Sequence, residues 1–382
     1  METHLYVGAG GGGDGLAALL LHHALGRDGR RAAVASYSWD RFVLDPAPGP
    51  RTWTDFDGLV ARGPHCWEVT RDSRLRRGGT STLALLAQHT TARYFLLDPH
   101  QGALGISQQL EEIIGTTEAA DVTLVDVGGD VIARGDEPTL RSPLADSLAL
   151  AAVSRIGSAR DVFIAGAGLD GELPADLVRG RCDQLGITKT VRISAAQVAD
   201  NLSALQYHPS EATGLLAAAA SGVVGQAEIR DNGSLVLVAP SSRDAVAVRV
   251  DAALSENRLA QQLVDTRTLT EAEATTIEVC GKSELAYERT KAASASRRSA
   301  IMPELNEARG RLREYIKRAS ARGATITTFR RVADVLNLRR YDPLLVRELV
   351  GELAHPALPI LHLDRVAQWQ DVAVAGSAGN NL

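Results

Sequence analysis

The chain has 382 residues, and its 46 acidic residues outnumber 41 basic ones, which gives a net charge of −5. This length suits two domains or one large α/β domain with an appendage, and the acidic balance argues against nucleic acid as a partner. Three separated cysteines, no secretory leader and no run of ~18 apolar residues lead us to expect a cytoplasmic protein without a membrane partner.

The first half of the chain predicts a parallel sheet with helices on both faces. Strand-like runs lie at residues 5–7, 32–37, 94–97, 122–127, 162–165 and 191–193, and helical patterns lie at residues 16–25, 81–89, 104–114, 143–155 and 173–179. This alternation is typical of a doubly wound, mostly parallel, Rossmann-like α/β sheet. Further along, Asn232 and Gly233 predict a hairpin turn, and residues 245–250 predict one more antiparallel strand at the sheet edge.

The composition changes twice after this region. We predict a Rossmann-like α/β ligand-binding domain at residues 1–266, a linker at residues 267–300 and a C-terminal helical region at residues 301–382. Weak apolar periodicity and many Thr, Ala and Ser residues indicate the linker. The C-terminal helices are candidates for contact with a protein partner or with a second copy of the chain.

Two glycine loops each follow a predicted strand. Both have the spacing G-x-G-x-x-G, the first at Gly8, Gly10 and Gly13 and the second at Gly166, Gly168 and Gly171. Without side chains, such a loop turns tightly and brings backbone N–H groups close to an anionic ligand. We therefore predict ligand contacts from Gly10, Gly11, Gly12, Gly13 and Gly168.

The same spacing raises the alternative of a nicotinamide or flavin site. A dinucleotide fingerprint also needs an acidic residue ~20 positions further on, and the candidate, Asp40, lies later than that. Asp14 would stand where the pyrophosphate binds and would repel it. NAD(P) and flavin are therefore less favoured as cofactors.

Aspartates follow five of the predicted strands. They are Asp14, Asp40, Asp98, Asp126, Asp130 and Asp170. Since the carboxyl ends of parallel strands face one crevice, we expect these side chains to converge there. Crowded carboxylates suit acid/base catalysis or a Mg²⁺ site, although any one of them can instead cap a helix or form an Asx-turn.

These residues are assigned separate roles. Asp14, Asp130 and Asp170 are the candidate acid/base or cation-binding residues, and His100 is the candidate for proton transfer near neutral pH. Asp126 and Asp130 flank two glycines that leave room for a cation, so they are the candidate metal ligands, with Mg²⁺ as the candidate ion. The remaining ligand-binding candidates are Asp40, Asp98, Gly128, Gly129 and Glu172. His208 is a weaker candidate because a helix cap at Ser210 explains its segment.

Several of these segments together resemble one uncharacterised family of bacterial and archaeal proteins, a domain of unknown function with the number eleven fifty-two. The segments are GAGGGGD at residues 8–14, YSWDRFVLDP at 37–46, VDVGGD at 125–130, RSPLAD at 141–146, GLDGE at 168–172 and HPSE at 208–211. The resemblance spans most of the chain. It implies that these loops belong together and implies no activity, cofactor or substrate.

We therefore predict an enzyme that binds a polar metabolite in a carboxylate-lined cleft at the strand ends. The ligand classes are a nucleoside, a nucleotide or a sugar derivative, and the reaction is hydrolysis or group transfer. One alternative is a nicotinamide- or flavin-dependent oxidoreductase. Another is a non-catalytic ligand sensor or assembly protein, in which the C-terminal helices report ligand binding.

Overall fold

A computed structural model describes residues 2–295, 305–338 and 340–365. Its strands are β1 (Thr3–Gly8), β2 (Arg31–Tyr37), β3 (Phe56–Asp57), β4 (Val60–Ala61), β5 (Trp67–Val69), β6 (Arg74–Leu75), β7 (Arg93–Leu97), β8 (Ala119–Val127), β9 (Ala159–Ala165), β10 (Lys189–Arg192), β11 (Gly225–Ile229), β12 (Ser234–Val238), β13 (Asp244–Arg249), β14 (Ile326–Thr328) and β15 (Ile360–His362). Its helices are α1 (Gly12–Ala24), α2 (Thr82–His89), α3 (Gly102–Thr117), α4 (Pro143–Val153), α5 (Ala175–Leu185), α6 (Ala195–Asp200), α7 (Leu202–Tyr207), α8 (Glu211–Ala220), α9 (Val250–Glu256), α10 (Arg258–Leu263), α11 (Leu269–Cys280), α12 (Glu284–Ala295), α13 (Leu305–Ala321), α14 (Phe329–Val335) and α15 (Pro343–Val350).

Five parallel strands form the centre of a nine-stranded mixed sheet, in the spatial order β7-β2-β1-β8-β9. The chain runs outward from β1 through β2 to β7, and then returns to place β8 on the other side of β1. The connections after β1 and β8 therefore leave in opposite directions. In open α/β sheets, ligands bind in the crevice that this reversal opens at the carboxyl ends of the strands.

Both faces of the large sheet are buried, as the α/β prediction requires. Alternate residues of β1 point to opposite faces. Leu5 and Val7 pack in one core with Ile106 of α3, whereas Tyr6 packs in another with Leu20 of α1. Such a strand reads as a continuous apolar run, which is why the sequence marks it clearly.

The outer strands differ from the prediction. Residues 191–193 were expected to continue the parallel sheet, but β10 pairs antiparallel with β13. Nor is β13 an edge strand, since it lies between β9 and β10 and buries Ala245, Ala247 and Val248. The predicted hairpin is confirmed as β11 and β12, but it belongs to a separate four-stranded sheet.

The segment expected to be a linker forms α11 and α12 in its described part. Thr268 caps α11 by accepting a hydrogen bond from the Glu271 amide, and Gly281 ends the helix in the left-handed conformation at φ 67°. The buried face of α11 consists of small side chains, Ala272 and Thr276, so it gives little apolar periodicity. The proposed division into domains stays a prediction, and residues 296–304 of the predicted linker and helical region lie outside the described residues.

The C-terminal region is not purely helical. Besides α13, α14 and α15 it contains β14 and β15, which complete the small sheet in the order β12-β11-β14-β15. β14 pairs parallel with β11, with Ala227 opposite Ile326. The three residues of β14 are too few to show a strand period in the sequence. Residues 366–382 of this predicted region lie outside the described residues, and no described helix has both the length and the apolar character needed to cross a membrane.

Candidate functional site

A cavity of about 890 Å³ lies at the carboxyl ends of the parallel strands. Its walls come from the loops after β1, β2, β8 and β9, from the segment before α8, and from α12 and α14. The predicted site residues that line it are Gly10, Gly11, Gly12, Gly13, Asp14, Asp40, Asp126, Asp130, Asp170 and Glu172. The structure thus brings most of the predicted carboxylates into one cavity.

His100 and Asp98 do not line this cavity. They pair with each other at the end of β7, with 2.8 Å between His100 Nδ1 and Asp98 Oδ1. The hydrogen bond from this pair raises the pKa of His100. Because β7 lies beyond β2 from the switch point, its carboxyl end is separated from the loops of β1 and β8.

Three predicted glycines, Gly128, Gly129 and Gly168, do not line the cavity but shape the loops that carry its carboxylates. Gly128 and Gly129 have φ of 127° and 119°. A Cβ atom on Gly128 would lie 2.4 Å from the carboxyl carbon of Asp170, so only glycine lets the two loops approach here. Gly168 donates its N–H to the Gly128 carbonyl at 2.7 Å, which ties the loop after β9 to the loop after β8.

Three buried aspartates form the first carboxylate group, which we call the Asp14 group: Asp14, Asp126 and Asp146. One oxygen from each lies within 4.8 Å of the other two. Asp14 accepts hydrogen bonds from the amides of Gly10 at 2.6 Å and Val127 at 3.1 Å. Burial nevertheless raises the pKa of Asp14 to about 7, and the charge of Asp170 acts in the same direction.

The second carboxylate group, the Asp130 group, consists of Asp130, Asp170 and Glu172, and its oxygens also lie within 4.8 Å of one another. Burial raises the pKa of Asp170 to about 6 and raises that of Asp130 well above its usual value, with the neighbouring carboxylates adding to both shifts. Oδ1 of Asp130 and Oδ1 of Asp170 have no other hydrogen-bond partner among the described residues. The two carboxyl groups can form a hydrogen bond with each other only when one of them is protonated.

Glu172 differs from its neighbours because it accepts four hydrogen bonds from the surrounding protein. It accepts hydrogen bonds from the amides of Arg141 at 2.6 Å and Ser142 at 3.0 Å, and from the Ser142 hydroxyl at 2.7 Å. Arg230 donates to it at 2.8 Å. Burial alone would raise the pKa of Glu172, but the Arg230 charge and these donors lower it to about 2, so the side chain stays ionised.

Asp40 lines the cavity, but its carboxylate accepts hydrogen bonds from the first turn of α2. Its two oxygens accept hydrogen bonds from the Thr82 amide at 3.2 Å and the Thr82 hydroxyl at 2.5 Å, in the first turn of α2. Burial raises the pKa of Asp40 to about 6. Helix capping, the alternative noted for any one of these aspartates, is therefore what Asp40 does, and both of its oxygens already accept hydrogen bonds.

The two glycine loops use glycine for different reasons. In the second loop, Gly166, Gly168 and Gly171 have positive φ of 59°, 76° and 75°. In the first loop the need is for space, since a Cβ atom on Gly12 would lie 2.0 Å from Thr82 Oγ1. The first loop opens directly into α1, whereas Pro174 separates the second loop from α5.

Sequence reasoning did not select three residues that the structure places in the cavity: Asp146, Arg230 and Glu284. Asp146 is the single charge in α4, an otherwise almost wholly apolar helix, and that isolation was a usable signal. Arg230 reaches the site from the β11–β12 hairpin, which no local pattern shows. Glu284, whose pKa burial raises to about 8, belongs to the segment that was predicted to be a linker.

Basic side chains and aromatic rings also line the cavity. The basic residues that line the cavity are Arg41, Arg141, Arg230, Lys282, Lys291 and Arg330. Lys291 of α12 pairs with Asp231 at 2.6 Å and lies 5.6 Å from the ring centre of Phe42 and 5.9 Å from that of Tyr287. Aromatic faces and paired charges in one cavity suit a polar ligand with a planar or ring-shaped part.

The fold and the site define an α/β protein with an acidic cavity at the carboxyl ends of a largely parallel sheet. The chain belongs to the family described as "Protein of unknown function (DUF1152)", whose model matches residues 5–292, and the resemblance noted in the sequence is thereby confirmed. The matched range contains both carboxylate groups and most of α12 but not α14. Neither the comparison with curated proteins nor that with solved structures gives a match.

Proposed function

We propose that the protein is a hydrolase or group transferase that binds a polar metabolite and at least one divalent cation in this cavity. The observation that carries the proposal is the presence of two three-carboxylate groups in the lining of the cavity. The spatial order of the five parallel strands, with the switch point between β1 and β8, further supports a Rossmann-like interpretation of the fold.

A bound cation would favour the ionised form of these carboxylates over the protonated form. Arg230 reaches the Asp130 group, at 2.8 Å from Glu172 and 3.7 Å from Asp170. Within the described ranges, no basic side chain forms an ion pair with Asp14, Asp126 or Asp146, whereas neighbouring carboxylates raise the pKa of each. Carboxylate oxygens are the preferred ligands of Mg²⁺, Mn²⁺ and Ca²⁺, so the Asp14 group is the better fit for a cation.

The neighbouring carboxyl groups suit proton transfer. Asp170, whose pKa burial raises to about 6, changes protonation near the pH of the cytoplasm. A base with this pKa can accept the proton of an attacking water or hydroxyl, while a cation polarises the group that is transferred. Glu172 stays ionised, so it holds Arg230 in place and does not exchange protons.

Metal binding is the direct test. Purified protein stripped with EDTA should bind Mn²⁺, measured by calorimetry or by the EPR signal of free Mn²⁺. Asp126→Asn and Asp146→Asn should each weaken binding by about tenfold or more, because each removes a charged ligand. The matched control is Asp136→Asn, since Asp136 is exposed and lies outside the cavity. Absence of Mn²⁺ binding to the wild type, or equal binding by all variants, would contradict the proposal.

Catalysis is tested separately from binding. A panel of nucleosides, nucleotides and sugar phosphates is incubated with the Mg²⁺-loaded protein, and products are followed by mass spectrometry. Turnover that Asp170→Asn abolishes supports the enzyme. A ligand that binds the cavity without turnover would favour the sensor, and a titration with NADH tests the oxidoreductase.

A further inference from the structure

The N-terminus of α1 faces the cavity without a cap. The helix has 13 residues and begins at Gly12, and its N-cap residue, Gly11, has no side chain with which to accept the first amides. Across the described ranges, the amides of Gly12 and Gly13 donate no hydrogen bond. The first amides of a helix lack an internal acceptor and carry part of the positive end of the helix dipole, so this end attracts an anion.

His208 adds an independent donor at the same place. Its side chain is buried, with 3% of the residue exposed, and it lines the cavity. The Ser210 amide donates to Nδ1 at 3.1 Å, which leaves the ring proton on Nε2. Within the described part of the chain, Nε2 has no hydrogen-bond partner of good geometry.

The two features meet at Gly12. Nε2 of His208 lies 3.4 Å from the position that a Cβ atom on Gly12 would occupy. The nearby Thr82 and Ser210 hydroxyls already donate, to Asp40 at 2.5 Å and to Thr213 at 3.0 Å. The unused donors are therefore the Gly12 and Gly13 amides and the imidazole N–H.

We propose that the N-terminus of α1 and His208 bind the phosphate group of a phosphorylated metabolite. Donors from a helix end and from a ring at its side can reach more than one oxygen of a phosphate, and glycine lets that phosphate approach the backbone closely. Burial lowers the pKa of His208 to about 3. The nearby Gly12 backbone acts to raise this pKa but is outweighed, so the ring is neutral at pH 7 and carries one N–H.

Asp14 does not prevent this binding. Both of its carboxylate oxygens are engaged by the amides of Gly10 and Val127. A cation on the Asp14 group offsets its charge, and Mg²⁺ sites in proteins usually include oxygens of a bound phosphate. In this respect the phosphate site rests on the proposed function, which supplies the cation that the Asp14 group would hold.

The test is a calorimetric titration of the Mg²⁺-loaded protein with inorganic phosphate. The wild type should bind phosphate at least tenfold more tightly than acetate. His208→Ala should weaken phosphate binding by about tenfold or more, the effect expected for losing a hydrogen bond to a charged group. His208→Gln, whose amide can donate in the same direction, should restore part of the affinity. His23→Ala, a histidine outside the cavity, should bind phosphate as the wild type does.

Mn²⁺ titrations of the same variants separate this inference from the proposed function. Unchanged phosphate binding in His208→Ala, or equal affinity for acetate and phosphate, overturns the phosphate site while intact Mn²⁺ binding leaves the cation site standing. Phosphate binding that depends on His208 in a wild type that binds no Mn²⁺ supports the phosphate site and overturns the cation. If His208→Ala does not fold, His208→Phe keeps a ring without the N–H and takes its place.

Discussion

Asp14 and Glu172 are buried in the same cavity but have opposite protonation behaviour. Glu172 accepts four hydrogen bonds, one of them from Arg230, and its pKa falls to about 2. Asp14 accepts two backbone hydrogen bonds and has no basic partner among the described residues, and burial raises its pKa to about 7. The charge of the cavity therefore changes near neutral pH. Asp14, Asp40, Asp170 and Glu284 contribute to that change, and Glu172 does not.

The first prediction concerns pH and Mg²⁺. Carboxyl groups with a raised pKa in the folded state stabilise it at low pH, and this stability is lost as pH rises through about 6 to 7. The metal-free protein should therefore have a higher thermal midpoint near pH ~5 than near pH ~8, and Mg²⁺ should raise the midpoint more at the higher pH. Differential scanning calorimetry in EDTA and in MgCl₂ measures both effects.

Asp14→Asn is the comparison for this measurement. The variant lacks one titrating carboxyl, so its midpoint should depend less on pH and respond less to Mg²⁺. An equal Mg²⁺ effect at both pH values in the wild type would contradict the assignment of the cation to protonatable carboxylates.

Sequence reasoning reached the individual aspartates but not their grouping. It paired Asp126 with Asp130 as metal ligands because only a Gly-Gly turn separates them. The structure assigns Asp126 to the Asp14 group and Asp130 to the other group, since Gly128 and Gly129 with positive φ redirect the chain between them. Spacing along a chain cannot show which side of such a turn each carboxylate faces, and it cannot bring in Asp146 from the next helix.

At the level of elements, the start of α1 is fixed by contact with α2 and with the segment before α8. A Cβ atom at Gly12 would meet Thr82 Oγ1 at 2.0 Å and Thr82 Cβ at 2.6 Å, whereas at Gly11 the nearest atom is the Trp39 carbonyl oxygen at 3.5 Å. Two adjacent glycines thus differ in how much space surrounds them.

The second prediction follows from this difference. Gly12→Ala should lower the free energy of unfolding by about 1–3 kcal/mol, the usual cost of overpacking, because α1 and α2 must move apart. Gly11→Ala should change it by less than about 1 kcal/mol, since its added methyl group makes only ordinary contact. Urea unfolding followed by circular dichroism measures both, and equal effects of the two substitutions would contradict the close approach.

The third prediction tests whether α12 is part of the folded core. Leu285 of α12 is buried with 5% exposed, whereas Ile277 of α11 is 49% exposed. Leu285→Ala should lower the free energy of unfolding by about 2–5 kcal/mol, and Ile277→Ala should have a much smaller effect. A negligible effect of both substitutions in urea unfolding would agree with the linker that the composition suggested.

The elements that the sequence predicts well are those with a strong local pattern. The five central strands are buried on both faces and read as apolar runs, so their positions follow from composition alone. A helix such as α11 buries only two small side chains, Ala272 and Thr276, and leaves the apolar Ile277 half exposed. Its helical state depends on its cap and its packing, which local apolar periodicity does not show.

For the whole molecule, the small sheet joins distant parts of the chain. Glu228 of β11 is fully buried and pairs with Arg322 and, at 3.0 Å, with Arg331, both from the C-terminal region. The Arg331 side chain is itself largely buried, with 12% exposed. The C-terminal region therefore neutralises a charge in the hairpin that carries Arg230.

The fourth prediction measures this coupling. Arg331→Ala should lower the free energy of unfolding by about 3 kcal/mol, the lower end of the cost of breaking a buried ion pair, because Arg322 remains. Arg311→Ala is the matched control, since Arg311 pairs with Glu307 on the exposed face of α13 and should contribute less than about 1 kcal/mol. Equal losses in urea unfolding would contradict the coupling of the two regions.

Arg230 sets an order of events during synthesis. Its guanidinium reaches Glu172 from a residue with φ of 61°, a left-handed conformation that the hairpin must hold. Every residue of both carboxylate groups precedes this arginine in the sequence and is therefore synthesised before it. The strand β14, which pairs with β11 on the side away from β12, follows about one hundred residues later. A nascent chain therefore carries all six of these carboxylates before it carries the basic partner of Glu172, so the Asp130 group lacks its positive charge until the hairpin has been made.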